Sequence, residues 1–317
     1  MKVKVLFVRS GNKGQHPITQ NQGDSLVDAG CEVVYFDVVG KGLSGYLKNL
    51  PILRREIRAH RPDVIHAHYS LCGFLATLSF SSIPVVVSLM GSDVLTSGVF
   101  YKWGLRLWAS FFWKKVIVKS EEMYNILHIE KALIVPNGVN KMDFFHLDKS
   151  NARKQLGWEE KLSIALFASD PSRPEKNYDL FNRALQMLQS RGVDIVEKHL
   201  HNLSKEEMML YYNAANFLVL TSFHEGSPNV IKEAMFCDCP FVTVRAGDVE
   251  GWMKITNGNF LVDYDAEQVA NAMSLALEIN HRVDNQLAIQ ELDAQRIADK
   301  LKSMYIGLLD GQDEATN

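Results

Sequence analysis

The 317-residue chain is 47% hydrophobic and 22% charged with a formal net charge of -3, the balance of a soluble globular protein long enough for two domains of about 150 residues each. So mild a charge excludes a duplex nucleic-acid binder, which needs a basic face and a high pI, and no run reaches the ~20 apolar residues of a membrane span. Four cysteines, Cys31, Cys72, Cys237 and Cys239, are too few for a disulfide framework, and Cys237 and Cys239 lack the second pair that a zinc site needs. They read as buried thiols of a reducing compartment.

The chain opens on a nearly continuous apolar run, Lys2 to Val8, closed by Arg9-Ser10-Gly11, the pattern of a buried parallel strand and its loop. It lacks the longer apolar region and cleavage site of a signal peptide, so a cytoplasmic location is expected. Short apolar runs follow at Glu32 to Val38, Val64 to His66, Pro84 to Leu89, Val116 to Val118 and Leu133 to Val135, separated by helically spaced segments such as Gly45 to His60 and Ser70 to Phe80. Six alternations of strand and helix predict a doubly wound parallel sheet. Pro136-Asn137-Gly138 interrupts the pattern, and the boundary is expected near residue 147, giving domains 1–147 and 148–310 and a disordered polar tail over 311–317.

The second half repeats the theme. Strands are expected at Leu162 to Ala168, Asn216 to Leu220, Pro240 to Val244 and Asn259 to Val262, with helices at Tyr178 to Arg191, Ser204 to Ala214, Asn229 to Cys237 and about Glu267 to Leu309. Ser204 and Glu207 form a capping-box pattern. Ligands of open α/β sheets bind at the carboxyl ends of strands, where Ser10-Gly11 and Ala168 to Lys176 both fall.

Thr221 to Pro240, TSFHEGSPNVIKEAMFCDCP, carries the chemistry. Glu225 and Glu233 stand eight positions apart around a turn that opens a helix, with Pro228 expected as the first helical residue. Gly226 and Ser227 leave backbone N–H groups at the helix start, where partial positive charge favours an anion, and the carboxylates remain for sugar hydroxyls. Glu233 falls in a mostly apolar helix, where an unpaired charge is expensive, so it needs a partner. Arg173 and Lys176 stand three apart in a strand-to-helix loop, so both cations could converge on one diphosphate. Gly11 follows the first strand, where a missing side chain would admit a phosphate or simply make a turn.

With SRPEKNYDL at Ser172 to Leu180, AGDVEGWM at Ala246 to Met253, VPNGVN at Val135 to Asn140, and DVIHAHY and SLMGSDVL in the first half, the chain resembles a family 4 (group 1) glycosyltransferase. The resemblance implies the α/β GT-B fold, two Rossmann-like domains facing across a cleft, with the C-terminal helix crossing back to the first domain. It implies sugar transfer from a nucleotide diphosphate sugar to a glycan or lipid-linked acceptor in surface polysaccharide or glycoconjugate assembly, with retention of anomeric configuration and with no metal or other cofactor. Arg173 and Lys176 would then hold the diphosphate. Glu225 would contact the donor sugar and Glu233 the ribose hydroxyls, with Gly226, Ser227, Pro228, Asn229, Val230 and Gly11 lining the donor, and His68 and Asp93 on the acceptor side. The alternatives are a non-catalytic nucleotide-sugar-binding subunit or, fitting the motif order poorly, a sugar-nucleotide epimerase.

Two features depart from the family pattern. Met90-Gly91-Ser92-Asp93 replaces the usual His-Gly-Ser/Thr-Asp, and methionine neither hydrogen-bonds a hydroxyl nor moves a proton. Between Arg191 and Leu203 one strand-helix unit is missing. Finally, Tyr101 to Lys119, YKWGLRLWASFFWKKVIVK, combines aromatics and cations; an ordinary core helix is the favoured reading, beside an interfacial helix making peripheral membrane contact.

Overall fold

The computed structural model describes residues 2–12, 14, 17–279, 283 and 285–311. The chain divides into two compact units, Met1–Gly138 with Ala294–Asn317, and Val139–Asp293.

In chain order the first unit contains β1 (Lys4–Ser10), α1 (Pro17–Asp28), β2 (Glu32–Val38), α2 (Gly42–Leu47), α3 (Leu50–His60), β3 (Val64–His68), α4 (Ser70–Leu78), β4 (Val85–Ser88), α5 (Ser92–Leu95), α6 (Val99–Phe112), β5 (Lys115–Val118), α7 (Glu121–Leu127) and β6 (Ala132–Ile134). The strands form a parallel sheet in the order β2-β1-β3-β4-β5-β6. Every expected strand is present: β4 and the Val5–Val8 run of β1 are fully buried, as apolar strands covered on both faces require, whereas the edge strand β2 is mostly half-buried. The helix expected over Gly45 to His60 is instead two, α2 and α3. Pro51, which has no N–H to continue a preceding helix, occupies the first turn of α3, and the Asn49 side chain ties the junction to the carbonyls of Val39, Gly45 and Tyr46.

The second unit contains α8 (Lys149–Leu156), β7 (Ser163–Phe167), a 3-10 turn (Pro174–Lys176), α9 (Tyr178–Ser190), β8 (Ile195–His199), α10 (Lys205–Ala214), β9 (Phe217–Leu220), α11 (Asn229–Phe236), β10 (Phe241–Val244), α12 (Val249–Met253), β11 (Phe260–Val262), α13 (Ala266–Ile279) and α14 (Gln286–Leu292). Its parallel sheet runs β11-β10-β9-β7-β8. The segment between α9 and α10 supplies one strand, β8, directly followed by α10. Ser204 caps α10 with the reciprocal Glu207 bond of a capping box. All four cysteines are buried thiols.

The last helix, α15 (Ala294–Leu309), belongs to the first unit, as the expected return of the chain requires. Ile297, Ala298, Leu301 and Tyr305 pack with Val3, Val5, Phe7 and Leu26. The Tyr305 hydroxyl lies 2.6 Å from Nδ1 of His66, whose Nε2 lies 2.8 Å from Ser88 Oγ. Burial, aided by Lys119, lowers the His66 pKa to about 3, so the ring is neutral.

The expected boundaries are thus corrected at both ends. The second unit starts at Val139 rather than 148 and stops at Asp293 rather than 310. The polar stretch before β7 is bound to its own unit by the buried Arg153 of α8, which donates to the carbonyls of Ala214 and Leu162. Tail residues 312–317 lie outside the described residues.

Candidate active site

In both sheets the chain moves outward from its first strand and then returns to the other side, so the order reverses between β1 and β3 and again between β7 and β9. Loops at such a reversal diverge and leave a crevice at the strands' carboxyl ends. In the second unit those loops are 168–177 and 221–228, the two segments that carry the expected donor residues.

Asn177, at φ 54°, ends the 3-10 turn and redirects the chain into α9. Thr221 Oγ1 donates to the carbonyls of Lys176 and Asn177, at 3.1 and 3.0 Å, and the Phe223 amide donates to Glu175 O at 3.0 Å. The loops are thereby stitched together, and Lys176 Nζ reaches Glu225 Oε1 at 2.6 Å with 14% and 15% of the two side chains exposed. Lys176 and Glu225 therefore share one point at the switch.

Arg173 is not drawn to the same point. Its guanidinium grips Glu175, two positions on, through Nε at 2.8 Å and Nη2 at 2.5 Å, and half of its side chain is exposed. The expected convergence of Arg173 and Lys176 is replaced by two separate ion pairs. A single χ rotation of an exposed arginine is cheap, so the guanidinium remains within the loop's reach of an anion.

Pro228 is the N-cap of α11, and Asn229 is its first helical residue, one position later than the sequence suggests. The turn before it is clasped from the loop after β10. Ser227 Oγ donates to Asp248 Oδ2 at 2.5 Å, and Gly247, at φ 65°, lies flush against the 225–226 backbone. A Cβ there would come within 3.0 Å of Glu225 O and 3.1 Å of Gly226 O. Gly247→Ala should therefore cost roughly 1–2 kcal/mol of stability and displace Glu225; a variant melting with the parent, with unchanged ligand response, would contradict this.

Glu233 has the partner its position demanded: Tyr212, fully buried on α10, donates its hydroxyl to Oε2 at 2.8 Å. Burial still outweighs that bond and the nearby Lys232, and raises the carboxyl to about 7. Lys232 is itself fully buried; desolvation lowers its pKa, opposed by Asp248 and then Glu233. Tyr212, Lys232 and Asp248 were not among the expected residues. A lysine inside an otherwise apolar helix face was the available signal for one of them.

In the first unit the expected residues have structural work. The Gly11 amide donates to Val38 O at 2.7 Å, and a Cβ would meet Asp37 and Val39 side-chain carbons at 3.1 Å, so the close approach that excludes a side chain is to the end of β2. His68 stacks on His66 at 4.3 Å and tilts against Phe7 at 4.5 Å. The buried Asp93 accepts from the Ser70 amide at 3.0 Å through Oδ2 and from those of Met90 and Gly91 at 2.9 and 3.1 Å through Oδ1. Desolvation raises it to about 6 even against these bonds. It joins the loops after β3 and β4, next to Tyr69, whose φ of 89° is a strained setting at the first switch point that sequence patterns do not reveal.

Two Rossmann-like units in one chain are the architecture of the GT-B glycosyltransferases. Residues 3–141 match the family model described as Glycosyltransferase Family 4, and residues 175–279 that described as Glycosyl transferases group 1. The chain belongs to the family 4, group 1 glycosyltransferases. Among solved structures it is similar to sucrose-phosphate synthase from Thermosynechococcus elongatus, 17% identical with a TM-score of 0.76 over 98% of this chain and 100% of that one. Anabaena HepE in complex with UDP and glucose is 18% identical, with a TM-score of 0.74 over 95% and 99%. A Bacillus subtilis protein named as a candidate teichuronic acid biosynthesis glycosyltransferase, TuaC, is 26% identical over 212 residues, 59% of this chain and 54% of that protein. The chain thus spans about half the length of that curated relative.

Proposed function

We propose that this protein transfers a sugar, with retention of configuration and without a metal, from a nucleotide diphosphate sugar to a glycan or lipid-linked acceptor in the assembly of a surface polysaccharide or related glycoconjugate. The carrying observation is the 2.6 Å Lys176–Glu225 pair at the β7/β9 switch point, beside the N-terminus of α11. Donor binding would exchange Lys176 from the carboxylate to a phosphate oxygen and free Glu225 for the sugar. Arg173 would swing from Glu175 to the same diphosphate, the first amides of α11 from Asn229 onward would face the sugar or phosphate, and Glu233 would accept from the ribose hydroxyls.

As the C1–O bond to the diphosphate breaks, negative charge grows on the departing oxygen, where fixed cations and helix amides stabilise it. The acceptor oxygen bonds to C1 on the same face, and its proton passes to the departing phosphate. That route asks nothing of Met90. The HepE complex, a UDP and glucose complex of a protein with the same fold, supports a nucleotide sugar as donor class.

A thermal-shift screen of UDP-, GDP-, ADP- and CMP-sugars tests the reading, since a ligand bound only by the folded state raises the melting temperature. One class should stabilise the protein, and incubation with acceptor and EDTA should yield a product of unchanged anomeric configuration. A stabilising donor that is neither hydrolysed nor transferred with any acceptor mixture would favour the non-catalytic subunit instead.

A further inference from the structure

Helix α6 has two unlike apolar faces. Its inner face is core: Leu105 and Ala109 are buried, Trp108 stacks edge-on against Phe74 at 5.2 Å, and the Trp113 indole at its end donates to Thr77 Oγ1 at 3.1 Å. The Tyr101 hydroxyl meets Ser70 Oγ at 2.7 Å. The core-helix expectation holds for this half alone.

The opposite face is neither polar nor covered. Phe100 is 93% exposed, Trp103 61%, Leu107 40% and Phe111 78%. At about 100° per residue these four fall within an arc of ~80°, diametrically across the helix from Leu105 and Ala109. A stripe of large apolar groups on a surface helix has a solvation cost that a monomer in water rarely retains. Because the inner face is pinned to α4, the stripe is held pointing outward rather than free to fold back.

Charge decides what would cover it. From Val94 to Ser120 the sequence has no Asp or Glu and five cations, Lys102, Arg106, Lys114, Lys115 and Lys119. Lys119 is buried and the Arg106 guanidinium turns inward to donate to Ile126 O, whereas Lys102 is half-exposed on the helix and Lys114 is exposed just past its end. The carboxylates that bracket the segment are Asp93, already occupied by three backbone amides, and Glu121 at the start of α7. A second copy packing through the same stripe would set like charges against each other. Aromatic side chains flanked by lysine match the boundary of an anionic lipid layer, where rings sit at headgroup depth and cations meet phosphates.

We propose that the outer face of α6, through Phe100, Trp103, Leu107 and Phe111 with Lys102 and Lys114, docks this protein on the surface of an anionic lipid bilayer. The proposal deepens the reading of a membrane-presented acceptor and rests on it only for its biological sense; the binding test contains neither donor nor acceptor, so the two fail separately.

The full chain is sedimented with vesicles of equal parts phosphatidylcholine and phosphatidylglycerol, and with phosphatidylcholine alone. It should pellet with the anionic vesicles, more weakly at high salt, with a blue shift of tryptophan emission that Trp103→Phe largely removes. The triple variant F100S/W103S/F111S should bind at least about tenfold more weakly, while Lys102→Glu with Lys114→Glu should abolish the preference for anionic lipid. Phe100, Trp103, Phe111 and Lys114 are exposed and Lys102 is half-exposed, so thermal melts should stay close to the parent. Equal recovery with and without vesicles, or binding unchanged in the triple variant, would overturn the proposal. So would a concentration-dependent dimer that the triple variant dissolves in the absence of any vesicle binding.

Discussion

Lys176→Ala should lower turnover about 10²–10³-fold with the donor identified by the ligand screen, a loss of about 3–4 kcal/mol of transition-state stabilisation. Lys176 is the enclosed cation of the pair expected at the diphosphate, and its Nζ already lies at the carboxylate that would have to yield to the donor. The charge it answers grows as the leaving group departs, so the loss should appear mainly in kcat. Arg173→Ala should cost less, because the guanidinium sits half exposed on Glu175, where solvent screens its charge. The Lys176→Ala protein should still melt cooperatively, since Thr221 holds the same loop through its backbone. A variant within about twofold of the parent would remove Lys176 from the reaction.

Glu233→Gln should weaken donor binding about 10–100-fold, the equivalent of the ~1.5–3 kcal/mol typical of a hydrogen bond to a charged group, and should also change how stability depends on pH. The carboxyl is raised to about 7, first by desolvation. In the window between the ordinary glutamate range and about 7, the native state keeps a proton that the unfolded chain has released. Ionised Glu233 therefore destabilises the fold, and stability falls as pH rises through that window. Glutamine removes this dependence and still accepts from Tyr212. Relative to the parent, the variant should gain a few degrees in melting temperature between about pH 5 and about pH 8. Asp93, raised to about 6, titrates in the same direction in both proteins and cancels in the comparison. Parallel melting curves across that range, together with unchanged donor affinity, would show that Glu233 neither titrates nor binds as argued.

The sheets were legible because a parallel strand covered on both faces carries its own apolar signature, from the Val5–Val8 run of β1 to the Phe217–Leu220 run of β9. The switch-point loops were legible for a related reason. Glycine, proline and paired charges between a strand and a helix restrict what a loop does. What sequence spacing does not carry is which way a side chain turns. Arg173 finds Glu175 two positions away before it finds a ligand, and the partners of Glu233 and Ser227 come from α10 and the loop after β10, at 21 residues' separation in each case. Gly11 and Asp93 show the same limit from the other side. Their positions suit ligand contact, yet one fits closely against β2 and the other is consumed by backbone amides. The domain boundary was misplaced because polarity marks a surface segment, whereas membership of a unit is decided by long-range anchors such as Arg153 and Tyr305.

The return of α15 makes the second unit, in effect, an insertion within the first. During synthesis the β1–β6 sheet emerges early but lacks the helix that covers Phe7 and accepts or donates at His66 until residue 305 has been made. The intervening Val139–Asp293 segment is continuous, so the second unit is free to complete itself first. The order of folding would then invert the order of translation. A released chain truncated after Asp293 should show a protease-resistant second unit and a still-susceptible first one.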